Sequence, residues 1–89
     1  MVKSFNETAL YVFYDIENDR LRSEIAEICK DYGLTRIQLS GFFGYLSRSK
    51  REELFLKLSY MLQNQKGKIL IQPVCDKDLK LRLELINEE

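Results

Sequence analysis

Leu10-Tyr-Val-Phe-Tyr-Asp15-Ile-Glu-Asn-Asp-Arg-Leu-Arg22 decides the fold of this chain. Ala9 to Tyr14 is an unbroken apolar run rich in aromatic and branched side chains, which predicts a short central strand covered on both faces. Asp15 then stands at the carboxyl end of that strand. Asn18 or Asp19 fits an N-cap, because a short side-chain oxygen accepts the free amide hydrogens of a first helical turn. Leu21, Ile25, Ile28, Cys29 and Tyr32 recur behind it at helical spacing. Strand, acidic turn and helix therefore follow one another without a linker. A lone Asp after a strand equally suits a turn or a cap, so Asp15 by itself declares no chemistry.

Composition bounds what that carboxylate can do. The 89 residues, 45% apolar and 31% charged, suit one soluble globular domain spanning residues 1–89, with its core over about 8–86. A chain this short gains from burying further surface against a second copy. Fourteen Lys and Arg balance fourteen Asp and Glu, so any grip on nucleic acid must come from local clusters rather than a global positive field. Two cysteines form no disulfide framework and suit a reducing compartment, with Cys29 on the apolar stripe of the first helix. No charged-then-apolar leader precedes Ala9, and no apolar run approaches the ~20 residues of a membrane span, so the expectation is a cytoplasmic protein with no membrane contact. Histidine is absent, which leaves carboxylates, hydroxyls or a metal-activated water as the means of catalysis.

The first helix should stop at Asp31-Tyr32-Gly33. Thr35 to Leu46 reads as two antiparallel strands, with Ile37 and Leu39 on one side, Arg36, Gln38 and Ser40 on the other, and a break at Gly41. Ser47 or Ser49 can cap the second helix, Ser49 forming a capping-box pattern with Glu52. Leu54, Phe55, Leu58, Met61 and Leu62 make its buried stripe, and Leu56 and Tyr60 lie on the other side. Gln63 to Gly67 is a turn, Lys68 to Cys75 a strand with Pro73 near its end, and Asp76 to Asp78 a further turn. Leu79, Leu81, Leu83 and Leu85 alternate with Lys80, Arg82 and Glu84, which predicts a terminal strand with one buried face.

Strand, helix, two strands, helix, strand is the ferredoxin-like order: an α+β, βαββαβ sandwich with an additional C-terminal strand. Two helices cover one sheet face, yet the first strand is apolar on both sides and the fourth carries Ile69, Leu70, Ile71 and Val74 on alternating faces. A homodimer packed sheet to sheet resolves that mismatch.

Tyr14-Asp15-Ile16 with an Arg-bearing helix behind it, then Gly33-Leu-Thr-Arg-Ile-Gln38-Leu-Ser40, then Phe43-Gly44-Tyr-Leu46, resembles the Cas-two family of small CRISPR-associated proteins of spacer acquisition. The match runs over roughly Ala9 to Ile86 and rests on the order and spacing of several short motifs. It departs at Gly41, where the family usually carries a branched apolar residue, and at Glu24, where it often carries a second basic one.

The resemblance implies Mg²⁺-dependent cleavage of RNA or DNA by a homodimer in antiviral defence, the terminal strand joining the partner's sheet edge. A single Asp15 holds Mg²⁺ poorly, but a two-fold axis supplies a second one, so a single ion shared by both is implied as the cofactor. It also implies site roles for Tyr14, Arg22, Arg36, Ser40 and Phe42: phosphate contact for the arginines, and positioning for Ser40 and Phe42. Each arginine equally suits a surface ion pair with Glu17, Asp19 or Glu24.

Arg48-Ser-Lys50-Arg51 is the one dense basic cluster, either a solvated helix start or a grip on a duplex backbone. Two functions follow. One is a Mg²⁺-dependent endonuclease acting on single-stranded RNA or duplex DNA, working in spacer acquisition with an integrase partner of the Cas-one family. The alternative is a non-catalytic dimeric bridge that binds duplex DNA and scaffolds the integration complex. A generic ferredoxin-like RNA binder is disfavoured for want of a strand-borne aromatic pair.

Overall fold

The computed structural model describes residues 3–88. In chain order they form β1 (Glu7–Asp15), α1 (Asp19–Asp31), β2 (Thr35–Gln38), β3 (Gly41–Ser47), α2 (Arg48–Leu62), β4 (Lys68–Val74) and the single turn α3 (Asp76–Leu79). The strands make one antiparallel sheet in the order β2-β3-β1-β4, so the apolar β1 has a neighbour on each side.

Strand register sorts the side chains onto two faces. Val12 lies opposite Phe42 and Ile71, and Tyr14 opposite Ile69. With Leu10 and Leu46 they meet Leu21, Ile25, Cys29, Leu54 and Leu58 of the two long helices in a single core. The alternate residues point the other way. Tyr11 lies opposite Phe43, Ala9 opposite Tyr45, and Phe13 opposite Gly41 and Leu70. Tyr11 and Phe13 stack with centroids 5.7 Å apart, Tyr11 meets Phe43 at 4.9 Å, and Phe43 meets Tyr45 edge-on at 5.5 Å. This face is only partly covered, and Leu70 on it is 53% exposed. The strands thus do carry an aromatic cluster on an open sheet face, contrary to the sequence expectation; two of its rings stand on alternate residues of β1 and two on alternate residues of β3, and only the register brings the pairs together.

Gly41 is explained by the same register. A Cβ there would stand 3.0 Å from the Phe13 ring directly across the ladder, so the aromatic ring occupies the space a side chain would need.

Asn18 caps α1, its side-chain oxygen accepting from the Leu21 amide at 2.8 Å, and Ser47 caps α2 by accepting from Lys50 at 3.2 Å. The Ser49–Glu52 capping box does not form, because α2 has already begun at Arg48 and Glu52 accepts from Arg48 instead. Phe55 is not in the buried stripe. It is 58% exposed while Leu54 and Leu58 are fully covered, since α2 rests on the sheet along a line too narrow to include it. Ile37 and Leu39 are exposed as well, β2 being a short edge strand with no helix over that side.

The largest correction concerns the terminal strand. Asp76–Leu79 is one helical turn, and residues 82–88 belong to no helix or strand. Leu83 and Leu85 are 97% and 101% exposed. An alternating leucine segment becomes a strand only beside a sheet edge that pairs its amides and covers its apolar side, and within one chain it is given neither.

Candidate active site at the end of β1

β1 ends at Asp15, whose side chain belongs to the open, aromatic face and is solvent-exposed. The cross-strand partner of Asp15 is Lys68, the first residue of β4. The turn before it carries Lys66 and Gly67 over the end of β1. A Cβ on Gly67 would stand 2.3 Å from Ile16 Cδ1 and 3.1 Å from the Asp15 carbonyl oxygen, and its φ of +151° lies where side chains are rarely tolerated. Only glycine lets this turn approach so closely. The result is a cleft of about 220 Å³ lined by Asp15, Glu17, Lys66, Gly67 and Lys68.

Several of the sequence-derived site residues lie elsewhere. Tyr14 is 5% exposed and belongs to the helix-covered face, with its hydroxyl buried and unpaired among the described residues. Phe42 is wholly buried on that same face, stacked with Tyr14 at 6.4 Å, so both are core residues within this chain. Arg36 lies opposite Phe42, its guanidinium 5.2 Å from the ring centre, which puts it on the opposite side of the sheet from Asp15 and two strands away. The period-two alternation of strands is the reason: Tyr14 and Asp15 are adjacent in sequence and therefore face opposite ways.

Arg22 does come near, but engaged. Its Nη1 donates to the Ile16 carbonyl at 3.1 Å and its Nη2 pairs with Asp19, bracing the turn that follows Asp15. Ser40 sits in the β2–β3 turn, where its carbonyl accepts from the Tyr14 amide at 3.1 Å. It fixes the end of β1 through its backbone.

The basic cluster is remote. Glu7 at the far end of β1 pairs with Ser47, immediately before Arg48. Eight residue steps of strand, about 26 Å at ~3.3 Å each, separate that end from Asp15. Arg48 is paired with Glu52 at 3.2 Å and Lys50 with Glu53 at 3.6 Å, while Arg51 helps line an apolar groove with Phe55, Leu56, Ile71 and Pro73.

Glu17, Lys66 and Lys68 were not singled out from the sequence. Asp15 and Lys68 are separated by most of the chain, and only the β1–β4 register makes them neighbours. The Lys66-Gly-Lys68 triplet at the foot of a strand was the available signal.

The chain matches the family model described as CRISPR associated protein Cas2 over residues 9–81. It is 54% identical over 70 residues to a CRISPR-associated endoribonuclease Cas2 of Desulforudis audaxviator, covering 79% of this chain and 66% of that protein's length. It is 40% identical over 74 residues to a protein of the same name from Korarchaeum cryptofilum, covering 83% of this chain and 80% of the relative. A CRISPR-associated endonuclease Cas1/endonuclease Cas2 fusion of Thermoproteus tenax is 31% identical over 74 residues, 83% of this chain and 28% of the fusion. Among solved structures, a hypothetical protein of Thermus thermophilus superposes with a TM-score of 0.75 at 30% identity, covering 91% of this chain and 92% of that one. Cas2 of Streptococcus pyogenes has the same fold at 20% identity, with a TM-score of 0.74 over 89% of this chain and 99% of its own. A helix-covered antiparallel sheet with an exposed carboxylate at the end of its central strand, matched by the family model over most of its length, places this chain in the Cas2 family of CRISPR-associated proteins.

Proposed function

We propose that the protein is a CRISPR-associated endonuclease that hydrolyses phosphodiester bonds at Asp15 with Mg²⁺, as a homodimer whose open sheet faces pack together. The observation that carries this reading is the placement of Asp15 on the same face as the half-covered rings Tyr11, Phe13, Phe43 and Tyr45. Closing that face with a second copy buries the rings and brings a second Asp15 toward the first.

The donor set suits the ion. Asp15 and Glu17 are exposed hard-oxygen ligands on one cleft, and Mg²⁺ is commonly held by one or two carboxylates, the rest of its shell being water and phosphate oxygens. Among the described residues of one chain no three metal-binding side chains cluster, so a single chain would offer such an ion Asp15 and Glu17 alone. Bound there, Mg²⁺ would supply charge neutralisation on the phosphate and activation of a water. Asp15 stands at the rim of the cleft, Arg22 and the Ser40 carbonyl fix the backbone on either side, and Gly67 lets its own turn close over the end of β1.

The substrate class follows the relatives named endoribonucleases, RNA, which the family resemblance takes as single-stranded, with duplex DNA as the competing substrate. The fused Thermoproteus relative supports a Cas1-family integrase as partner in spacer acquisition. It also favours a second reading, in which the dimer bridges DNA for that partner and Asp15 is structural. Cleavage of RNA and of duplex DNA by wild type and Asp15→Asn, with and without Mg²⁺, separates the two. A Mg²⁺-dependent activity lost in the variant is expected; activity identical in both proteins would leave the bridge.

A further inference from the structure

We infer that Lys66 and Lys68 bind the phosphate of the scissile linkage and position it against Asp15; the inference rests on the reading of Asp15 given above. Lys68 is directly cross-strand from Asp15, and such pairs have Cβ atoms about 5 Å apart on the same face of a sheet. Lys66 lines the same cleft from the turn above, so both lysines and the carboxylate share one cleft. Both lysines are exposed, and neither is in an ion pair among the described residues, although Asp15 and Glu17 share their cleft.

Contrast with the other cations sharpens the assignment. Arg22, Arg48 and Lys50 are engaged by carboxylates, and Arg36 lies on the far face. Among the described residues, Lys66 and Lys68 are the cations that line the Asp15 cleft, and neither forms an ion pair. A phosphodiester carries one negative charge on two non-bridging oxygens, and an ammonium on a flexible stem is a compact point donor for such oxygens. The cost of the Gly67 approach has a purpose on this reading. A turn seated a few ångströms farther out would still close β4, but would carry Lys66 away from Asp15.

These contacts reach the backbone and no base, so they serve RNA and DNA alike and confer no sequence preference.

The test combines Lys66→Gln/Lys68→Gln with Asp15→Asn, using a short labelled single-stranded RNA and, in a parallel arm, a short duplex DNA. Affinity is measured in the Asp15→Asn background, where cleavage does not interfere, and steady-state kinetics in the otherwise wild-type dimer. The double substitution is expected to weaken binding about tenfold per lost contact, a hydrogen bond to a charged group being worth that much. It should reduce the log–log salt slope by ~0.7 for each single-strand phosphate released, and raise KM more than it lowers kcat. Lys30→Gln, which removes one positive charge on α1 outside the cleft, should alter none of these. Gly67→Ala, which leaves both lysines but displaces the turn, should reproduce part of the KM effect. If Asp15→Asn abolishes cleavage while the lysine variant keeps wild-type affinity, salt slope and KM, the lysine assignment is overturned and the Asp15 reading survives. If Asp15→Asn cleaves like wild type, the Asp15 reading falls and takes the positioning role with it.

Discussion

The two faces of the sheet are built from the same strands and have opposite fates. On one, Leu10, Val12, Tyr14, Phe42 and Leu46 are closed off by Leu21, Ile25, Leu54 and Leu58 from the helices. On the other, Tyr11, Phe13, Phe43 and Tyr45 pack only against each other and remain partly accessible. The covered face buries its centre within one chain, leaving only an apolar groove at the β4 side between Ile71 and Phe55. The open face carries aromatic area that a monomer leaves in water, and it also carries Asp15. On the proposed reading, chemistry and unfinished packing share a surface, which would tie activity to whatever closes that surface.

The sharpest way to break this contrast is to remove chemistry from the open face without touching the packing. Asp15→Asn keeps size and shape, so dimer mass and melting temperature should hold while Mg²⁺-dependent cleavage collapses. Losing a residue that merely orients a metal ligand costs ~10- to 100-fold, and losing the ligand should cost more. Equal activity in variant and wild type would detach chemistry from this face altogether.

Next in size is a paired truncation. Phe42→Ala empties a fully buried position and should cost about 3–5 kcal/mol in denaturant unfolding. Phe43→Ala, one residue along and on the open face, should cost the monomer fold far less and instead weaken association, seen by sedimentation as a shift toward monomer. If Phe43→Ala leaves the mass unchanged but lowers RNA affinity, the rings stack bases rather than a partner sheet.

A smaller effect reports on the covered core alone. Burial pushes the Cys29 thiol up from 9.0 to about 11, with Arg36 partly offsetting it. Below pH 9 the thiol is protonated in both folded and unfolded chains. Between pH 9 and about 11 the unfolded chain ionises while the folded one stays protonated, so stability is lost across that window, by on the order of 2 kcal/mol. Cys29→Ala should flatten the pH dependence of unfolding there. An unchanged slope would mean that another group carries it; Tyr32, raised to about 12 chiefly by donating to Glu53 at 2.5 Å, is the one to examine next with Tyr32→Phe.

The smallest expected effect is at the far end of β1. With Arg48 and Lys50 already paired to glutamates, neutralising Arg48, Lys50 and Arg51 together should weaken duplex binding only a few-fold and similarly for unrelated sequences. A steep loss, with a salt slope reduced by ~0.9 per duplex phosphate, would make that end the principal DNA grip.

What was legible in the sequence was local. The β1 run, the Asn18 and Ser47 caps and the 63–67 turn follow from neighbouring residues and stand where their patterns put them. The exposed carboxylate at the strand end was legible for the same reason. The cleft was not, because Asp15 meets Lys68 only through strand pairing across most of the chain. Tyr14, Phe42 and Arg36 are not gathered around Asp15 within one chain, and the reason is parity: a list of site residues carries no face, and the sheet puts all three on the side away from Asp15. The leucines 81, 83 and 85 alternate as a strand should, yet the single chain offers them no edge. In the proposed dimer, a partner's sheet edge would supply one.

The most direct test is the specific activity of the intact protein as it is diluted through its dimer dissociation constant, with mass followed by light scattering on the same samples. A site completed by two open faces requires Mg²⁺-dependent cleavage per chain to fall in step with the dimer population. Undiminished specific activity where scattering reports a 10.6 kDa particle would contradict it.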